Sequence, residues 1–169
     1  DLLGPATKVQ EELMGIPSFD TPDYSELFAE EKEMIAKLKK AFLMVAGGAV
    51  QKYGPELDGH QQLLMAAADI LIEIYMAEST ILRTEKLAKK EGESKVPEQI
   101  AMAKLYLYKA VDIVTQKGKE SIISFAEGDE QRMMLMGLRR FTKYTNMPNI
   151  VGLRETITTK LVAENAYCF

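Results

Sequence analysis

Between residues 63 and 90, Leu63, Ala67, Ile70, Ile74, Ala77, Ile81, Thr84 and Ala88 recur at alternating steps of four and three. An α-helix turns once every 3.6 residues, so these side chains share one stripe. A second stripe, Leu64, Ala68, Leu71, Tyr75 and Leu82, lies beside the first. A helix that is apolar on two sides needs neighbours on two sides. The pattern therefore predicts the central helix of a bundle. Runs of β-branched residues with two-residue alternation, the mark of strands, are absent. The expected fold class is all-α.

Glycine and proline punctuate the remainder at wide intervals, which predicts one short helix and five longer ones. Residues 1–22 are the least regular, with a possible helix over 6–14. GIPSFDTPD then reads as an extended connector, because Pro17 and Pro22 block helix. Thr21 before Pro22 resembles a cap and a first-turn proline, opening a helix that runs to Tyr53. Leu27, Met34, Leu38, Ala41, Val45 and Ala49 share its stripe, and Gly47 and Gly48 mark a kink or a close helix contact. YGPELDG at 53–59 reads as a turn, followed by a helix over 58–90 that Gly92 ends. The next helix runs from Pro97 to Ala126 with Gly118 inside it. EGDE at 127–130 predicts a turn at Gly128 and a cap at Asp129. Helices over 129–145 and 151–166 complete the chain, the last carrying Leu153, Ile157 and Leu161. Short connections imply antiparallel neighbours. The expected architecture is an up-and-down helical bundle of four to five long helices. It divides into 1–22, a linker or short helix, and 23–169, the bundle domain.

With 169 residues and 47% hydrophobic content, one domain with a real core is expected. The net charge of −4 argues against nucleic acid, whose binders need a concentrated basic footprint. Only Arg83, Arg132, Arg139, Arg140 and Arg154 offer a bidentate fork. A single cysteine, Cys168, permits no internal disulfide and points to a reducing compartment. No secretory signal opens the chain. The apolar run AFLMVAGGAV is too short for a span of ~20 residues. A first residue of Asp1 suggests a piece of a longer precursor.

No self-sufficient active site emerges. The long helix carries Asp69, Glu73, Glu78 and Glu85, the first two sharing one face and the last two another. Inward carboxylates in a bundle suggest a di-iron site. That site needs Glu-x-x-His pairs, and the one histidine, His60, stands in none. The favoured reading of the acids is a polar seam with lysine and arginine partners. His60 reads as a turn-side residue, with no nucleophile and orienting partner in sequence context. The ten methionines raise a haem reading, but no Cys-x-x-Cys-His exists and methionine is more often core filler. No glycine-rich phosphate loop occurs. Lys32, Lys37, Lys39 and Lys40 could lie on an anionic membrane, although Glu30, Glu31 and Glu33 dilute them toward an ordinary solvated face. No catalytic, cofactor-binding or metal residue is assigned.

The stretch FAEEKEMIAKLKKAFLMVAGGAVQKYGPELDGHQQLLMAAADILIEIYMAESTILRTEKL resembles the C-terminal extension of very-long-chain-type acyl-CoA dehydrogenases. The order of elements agrees over about residues 24–169: a long helix, a turn before Gln-Gln-Leu-Leu, a long apolar helix ending in Ser/Thr-x-x-x-Arg, a helix pair, and a short helix closing on Phe169. The resemblance implies a flavoprotein parent that forms an α,β-double bond in an acyl-CoA, with FAD taking the hydride. In that family the base is a glutamate in a Glu-Gly-Thr run upstream of the extension. Here EGES at 91–94 and EGDE at 127–130 lack the threonine, so the base is carried onto neither. FAD and CoA sites are implied for missing upstream sequence, with no cofactor in this segment.

The resemblance also implies a domain that packs on the catalytic body of the parent, and homodimers where shorter relatives form tetramers. The segment linked to membrane association corresponds to residues 1–22, whose few basic residues put that property in doubt. The implied compartment is cytoplasmic in a bacterium and mitochondrial in a eukaryote. Self-association through the first long helix or the 97–126 region is expected of the excised piece. A rival reading is a free-standing bundle that holds an apolar ligand or partner helix in a groove near Met133, Met134, Met136 and Met147. Catalysis by this segment alone ranks third.

Overall fold

The computed structural model describes residues 3–15 and 24–169. Among the described residues six α-helices follow in order: α1 (Leu3–Met14), α2 (Ala29–Tyr53), α3 (Gln61–Glu91), α4 (Pro97–Phe125), α5 (Gly128–Phe141) and α6 (Ile150–Glu164). Short 3-10 turns at Gly54–Gly59 and Glu93–Lys95 join α2 to α3 and α3 to α4. Among the described residues there is no strand. The all-α bundle expected from periodicity is the fold.

The boundaries follow local chemistry, with two corrections. The expected opening at Thr21 and Pro22 lies outside the described residues. Residues 24–28 are not helical, and α2 begins only at Ala29. Phe28 sits just before it in the left-handed region, at φ 65, and is 2% exposed. That conformation costs a non-glycine residue about 1–2 kcal/mol. Burying the ring, worth roughly 1.5–3 kcal/mol, offsets the cost and turns the chain into the core. At α5 the expected cap at Asp129 is corrected to Glu127, with Gly128 taking φ 59. Asp129 instead lies in the first turn, where it suits the helix dipole and pairs with Arg132 at 3.1 Å. Pro97 opens α4 and Gly92 closes α3 at φ 97, as their positions predict. Asn149 caps α6, its side chain accepting from the Gly152 amide at 3.1 Å.

The core lies between α2 and α4. Leu38, Met44 and Val45 of α2 meet Leu107, Val114 and Ile122 of α4 in one buried cluster. α2 touches α1, α3, α4 and α5, and α4 touches α2, α3, α5 and α6. α3 packs along α4 and α2 through Ile70, Ile74, Ala77 and Ile81. The expectation that α3 is the central helix is thereby corrected. Its first stripe is largely buried, but of its second stripe only Leu64 is partly covered, while Ala68, Leu71, Tyr75 and Leu82 are exposed. Periodicity reveals that a face is apolar without revealing what covers it.

Gly47 and Gly48 do not interrupt α2, which runs unbroken from Ala29 to Tyr53. They are points of close approach. A Cβ placed on Gly47 would stand 2.3 Å from the Ala6 Cβ of α1, and one on Gly48 would stand 2.7 Å from the Met134 Cε of α5. α1 therefore lies flush on α2, with Ala6 and Val9 buried.

Candidate functional site

Asp69, Glu73, Glu78 and Glu85 of α3 have partners on three helices. The Lys39 ammonium donates to Glu78 at 2.6 Å, and Lys32 pairs with Glu85 at 2.8 Å. Seven residues forward on α2 match seven residues back on α3, which is two turns of an antiparallel pair. On the α4 side, Lys117 meets Asp69 at 3.2 Å and the Tyr106 hydroxyl donates to Glu73 at 3.0 Å. Lys89, one turn along α3, adds a second contact to Glu85 at 2.8 Å. Hydrogen bonds from Lys32 and then Lys89 hold the Glu85 carboxyl below the usual carboxylate range. Burial, and then the neighbouring Glu73, push the Tyr106 phenol up. The acids serve as pins that register α3 against its neighbours.

A second polar group gathers at the start of α2. Tyr24 donates to Glu33, which also pairs with Lys37 at 2.5 Å. Burial would raise the Glu33 carboxyl, but the hydrogen bonds from Lys37 and Tyr24 hold it below its ordinary value. Lys104 of α4 meets Glu31 at 3.0 Å. Tyr144 stacks near Tyr108 with ring centroids 6.3 Å apart, and burial pushes its phenol well up. Its hydroxyl and the Gln99 Oε1 are buried without a hydrogen-bond partner.

Two open grooves lie at the other end, where the N-terminus of α3 meets the last turns of α4. One, about 300 Å³, is lined by Gln62, Met65, Asp69, Lys117 and Glu120. Its neighbour, about 340 Å³, is lined by Tyr53, His60 and Gln61. The His60 ring is stacked on Tyr53 at 3.6 Å. The nearby hydroxyls turn into their own helix, Ser121 donating to the Lys117 carbonyl and Ser124 to that of Ser121. No nucleophile–base pair forms here. Among the described residues no group of three or more His, Cys, Asp or Glu side chains converges as metal ligands would. Neither groove fits FAD, since both are open to solvent and without the glycine-rich turn that receives a pyrophosphate. The methionine-lined space between α1, α2 and α5, against Met44, Met133 and Met134, is about 30 Å³, room for roughly one water.

The most distinctive surface is the outer face of α3. Met65 (66% exposed), Leu71, Ile72, Tyr75 (67%), Met76 and Leu82 stand open along it. Residues 65, 68, 72, 75 and 82 keep the three-and-four step of a coiled-coil seam, with Ser79 in the remaining place. The second apolar stripe anticipates part of this surface but omits Met65, Ile72 and Met76. Counting heptad positions outward from Ala68 would have found Met65 and Ile72, whereas Met76 stands beside that register, one residue after Tyr75.

Comparison with known proteins places this arrangement. The acyl-CoA dehydrogenase C-terminal domain family matches residues 37–140. A probable acyl-CoA dehydrogenase of Bacillus subtilis (strain 168) is 36% identical over 159 residues, which is 94% of this chain and 26% of the relative. The crystal structure of an acyl-CoA dehydrogenase complexed with FAD, from Bacillus anthracis, superposes with a TM-score of 0.89 at 36% identity. It covers 99% of this chain and 28% of its own. The chain thus spans about a quarter of the length of these relatives. With its helices matched almost end to end, this chain belongs to the acyl-CoA dehydrogenase C-terminal domain family.

Proposed function

We propose that the chain is the non-catalytic helical domain of an FAD-dependent acyl-CoA dehydrogenase of fatty-acid β-oxidation. In this reading it packs on the catalytic body and supports its assembly. The observation that carries the proposal is an end-to-end match to one quarter of proteins whose names give the activity. FAD and the acyl-CoA then belong to the remaining three quarters, which accords with grooves here that do not suit a dinucleotide. The finer assignment is to the very-long-chain type, assembled as a homodimer. The order of helices through Phe169 supports the type. Residues 1–22 act as the junction to the body and 23–169 as the bundle, and few basic residues in the junction weigh against membrane attachment. Among the described residues no helix is long and apolar enough to cross a membrane. The compartment proposed is the cytoplasm for a bacterial parent and the mitochondrion for a eukaryotic one.

The test is the reading frame upstream of the Asp1 codon. A Glu-Gly-Thr run within a few tens of codons, preceded by a flavoprotein-length frame, is expected. A start codon there, or an unrelated domain, would overturn the proposal and favour a free-standing bundle. The roughly one-water space beside Met133 and Met134 speaks against that rival as a binder of apolar ligands.

A further inference from the structure

We infer that α6 is a strap that opens as a unit, closed onto α4 by a clasp of Glu98, Lys160 and Phe169. The inference goes beyond the proposed function and does not rest on it.

The sequence makes α6 dependent on its docking. Nearly half of its 15 residues are β-branched, Thr156, Thr158 and Thr159 among them, and Gly152 stands in its first turn. Such residues are poor helix formers, and a helix of this length is marginal in water even with good ones. Packing must hold it. Yet α4 is the helix it packs along, and no residue of α6 is buried. Leu153, Ile157 and Leu161 are only half-covered. The shorter α1, by contrast, buries Ala6 and Val9.

The two ends of α6 are held differently. Ahead of it the chain is tied to the bundle: the Asn146 amide donates to Glu30 at 2.8 Å, and Tyr144 stacks near Tyr108. This is the hinge end. At the other end Lys160 reaches Glu98, in the first turn of α4, at 3.4 Å. α6 therefore runs antiparallel to α4, from near Tyr108 toward Glu98.

Beyond α6, Asn165 takes the left-handed conformation at φ 46 and turns the chain back. Asparagine is among the few side chains that visit this region routinely. The returning segment sets the Phe169 ring 5.8 Å from the Lys160 ammonium, within cation–π reach. Tyr167 meets that ring edge-on at 5.9 Å. One ammonium thus joins α4 to the returning segment. The Glu98 side chain is only 13% exposed, so the ring lies over a pair already drawn from water, where charges interact more strongly. When the clasp is undone, α6 has no buried residue to retain it and peels back toward the hinge.

Hydrogen exchange of the full-length protein, read by peptide mass spectrometry, tests this. Phe169→Ala and Glu98→Gln each remove half of the clasp, and Lys160→Arg keeps both halves. We expect each of the first two to speed exchange across 150–164 by about twofold to tenfold, the range of a partly exposed cation–π contact or ion pair. Residues 103–122 of α4 should keep their protection, and Lys160→Arg should exchange like the unsubstituted protein. Unchanged exchange across 150–164 in both loss variants would overturn the clasp. A rise shared equally by 103–122 would overturn opening as a unit. Flavin absorbance of the same samples reports on the proposed function separately: a colourless protein with the selective rise would sink the flavoprotein reading and leave the strap standing.

Discussion

Glu85 illustrates how a single residue is read differently from sequence and from structure. In sequence it is one acid of four on an apolar helix. In the structure it accepts from Lys32 and Lys89 and is held below the ordinary carboxylate range. A depressed folded-state pKa means the contribution is full above the unfolded value of about 4.3 and is lost as pH falls through the folded value. Glu85→Gln should therefore lower stability at neutral pH by about 0.2–1 kcal/mol, the size of a partly exposed pair. Chemical denaturation across the acid range should show the difference closing as the pH drops below about 4. A loss that persists unchanged in acid would mean packing, and not charge, is what the substitution disturbs. The pairings themselves were not legible in the sequence. Spacing says that Glu78 and Glu85 share a face, but which lysines reach them depends on the register between α2 and α3.

Among the helices, periodicity was most informative where burial is one-sided. The first stripe of α3 is buried as its spacing requires, and Pro97 and Gly92 mark ends where they stand. Ends set by a backbone exception were not legible. Phe28 delays α2 because its own burial outweighs a left-handed conformation, and no propensity rule anticipates that. Gly47 left two options open, and close approach of α1 is the one realised. Gly47→Val should push α1 off α2 at about 1–3 kcal/mol, the usual cost of overpacking. Hydrogen exchange should then rise along Leu3–Met14 while amides of α4 keep their protection. Unchanged exchange in α1 would show that the helices can separate slightly without losing their contact. Leu107, 1% exposed in α4, offers a contrast: Leu107→Ala should cost about 2–5 kcal/mol in any setting. Leu71→Ala, on the open face of α3, should change the bundle alone by less than about 0.5 kcal/mol. Urea titration of both variants checks the pair.

For the whole molecule, the sequence made the fold class plain, and the resemblance pointed to the family that the comparisons establish. What it concealed was the position of α3. Two apolar stripes predict a central helix, yet α2 and α4 are the helices surrounded on several sides. The surplus stripe stands as an exposed apolar surface of the bundle. The candidate site was legible to the same degree. The acids, His60 and the methionines could be weighed one by one, and the structure places them as pins, a stacked ring and core or rim side chains. The most direct measurement is the visible spectrum of the full-length parent, purified and titrated anaerobically with a long-chain acyl-CoA. We expect a yellow protein whose flavin band bleaches in proportion to added substrate. A colourless protein, or a flavin band indifferent to acyl-CoA, would contradict the assignment of this bundle to an acyl-CoA dehydrogenase.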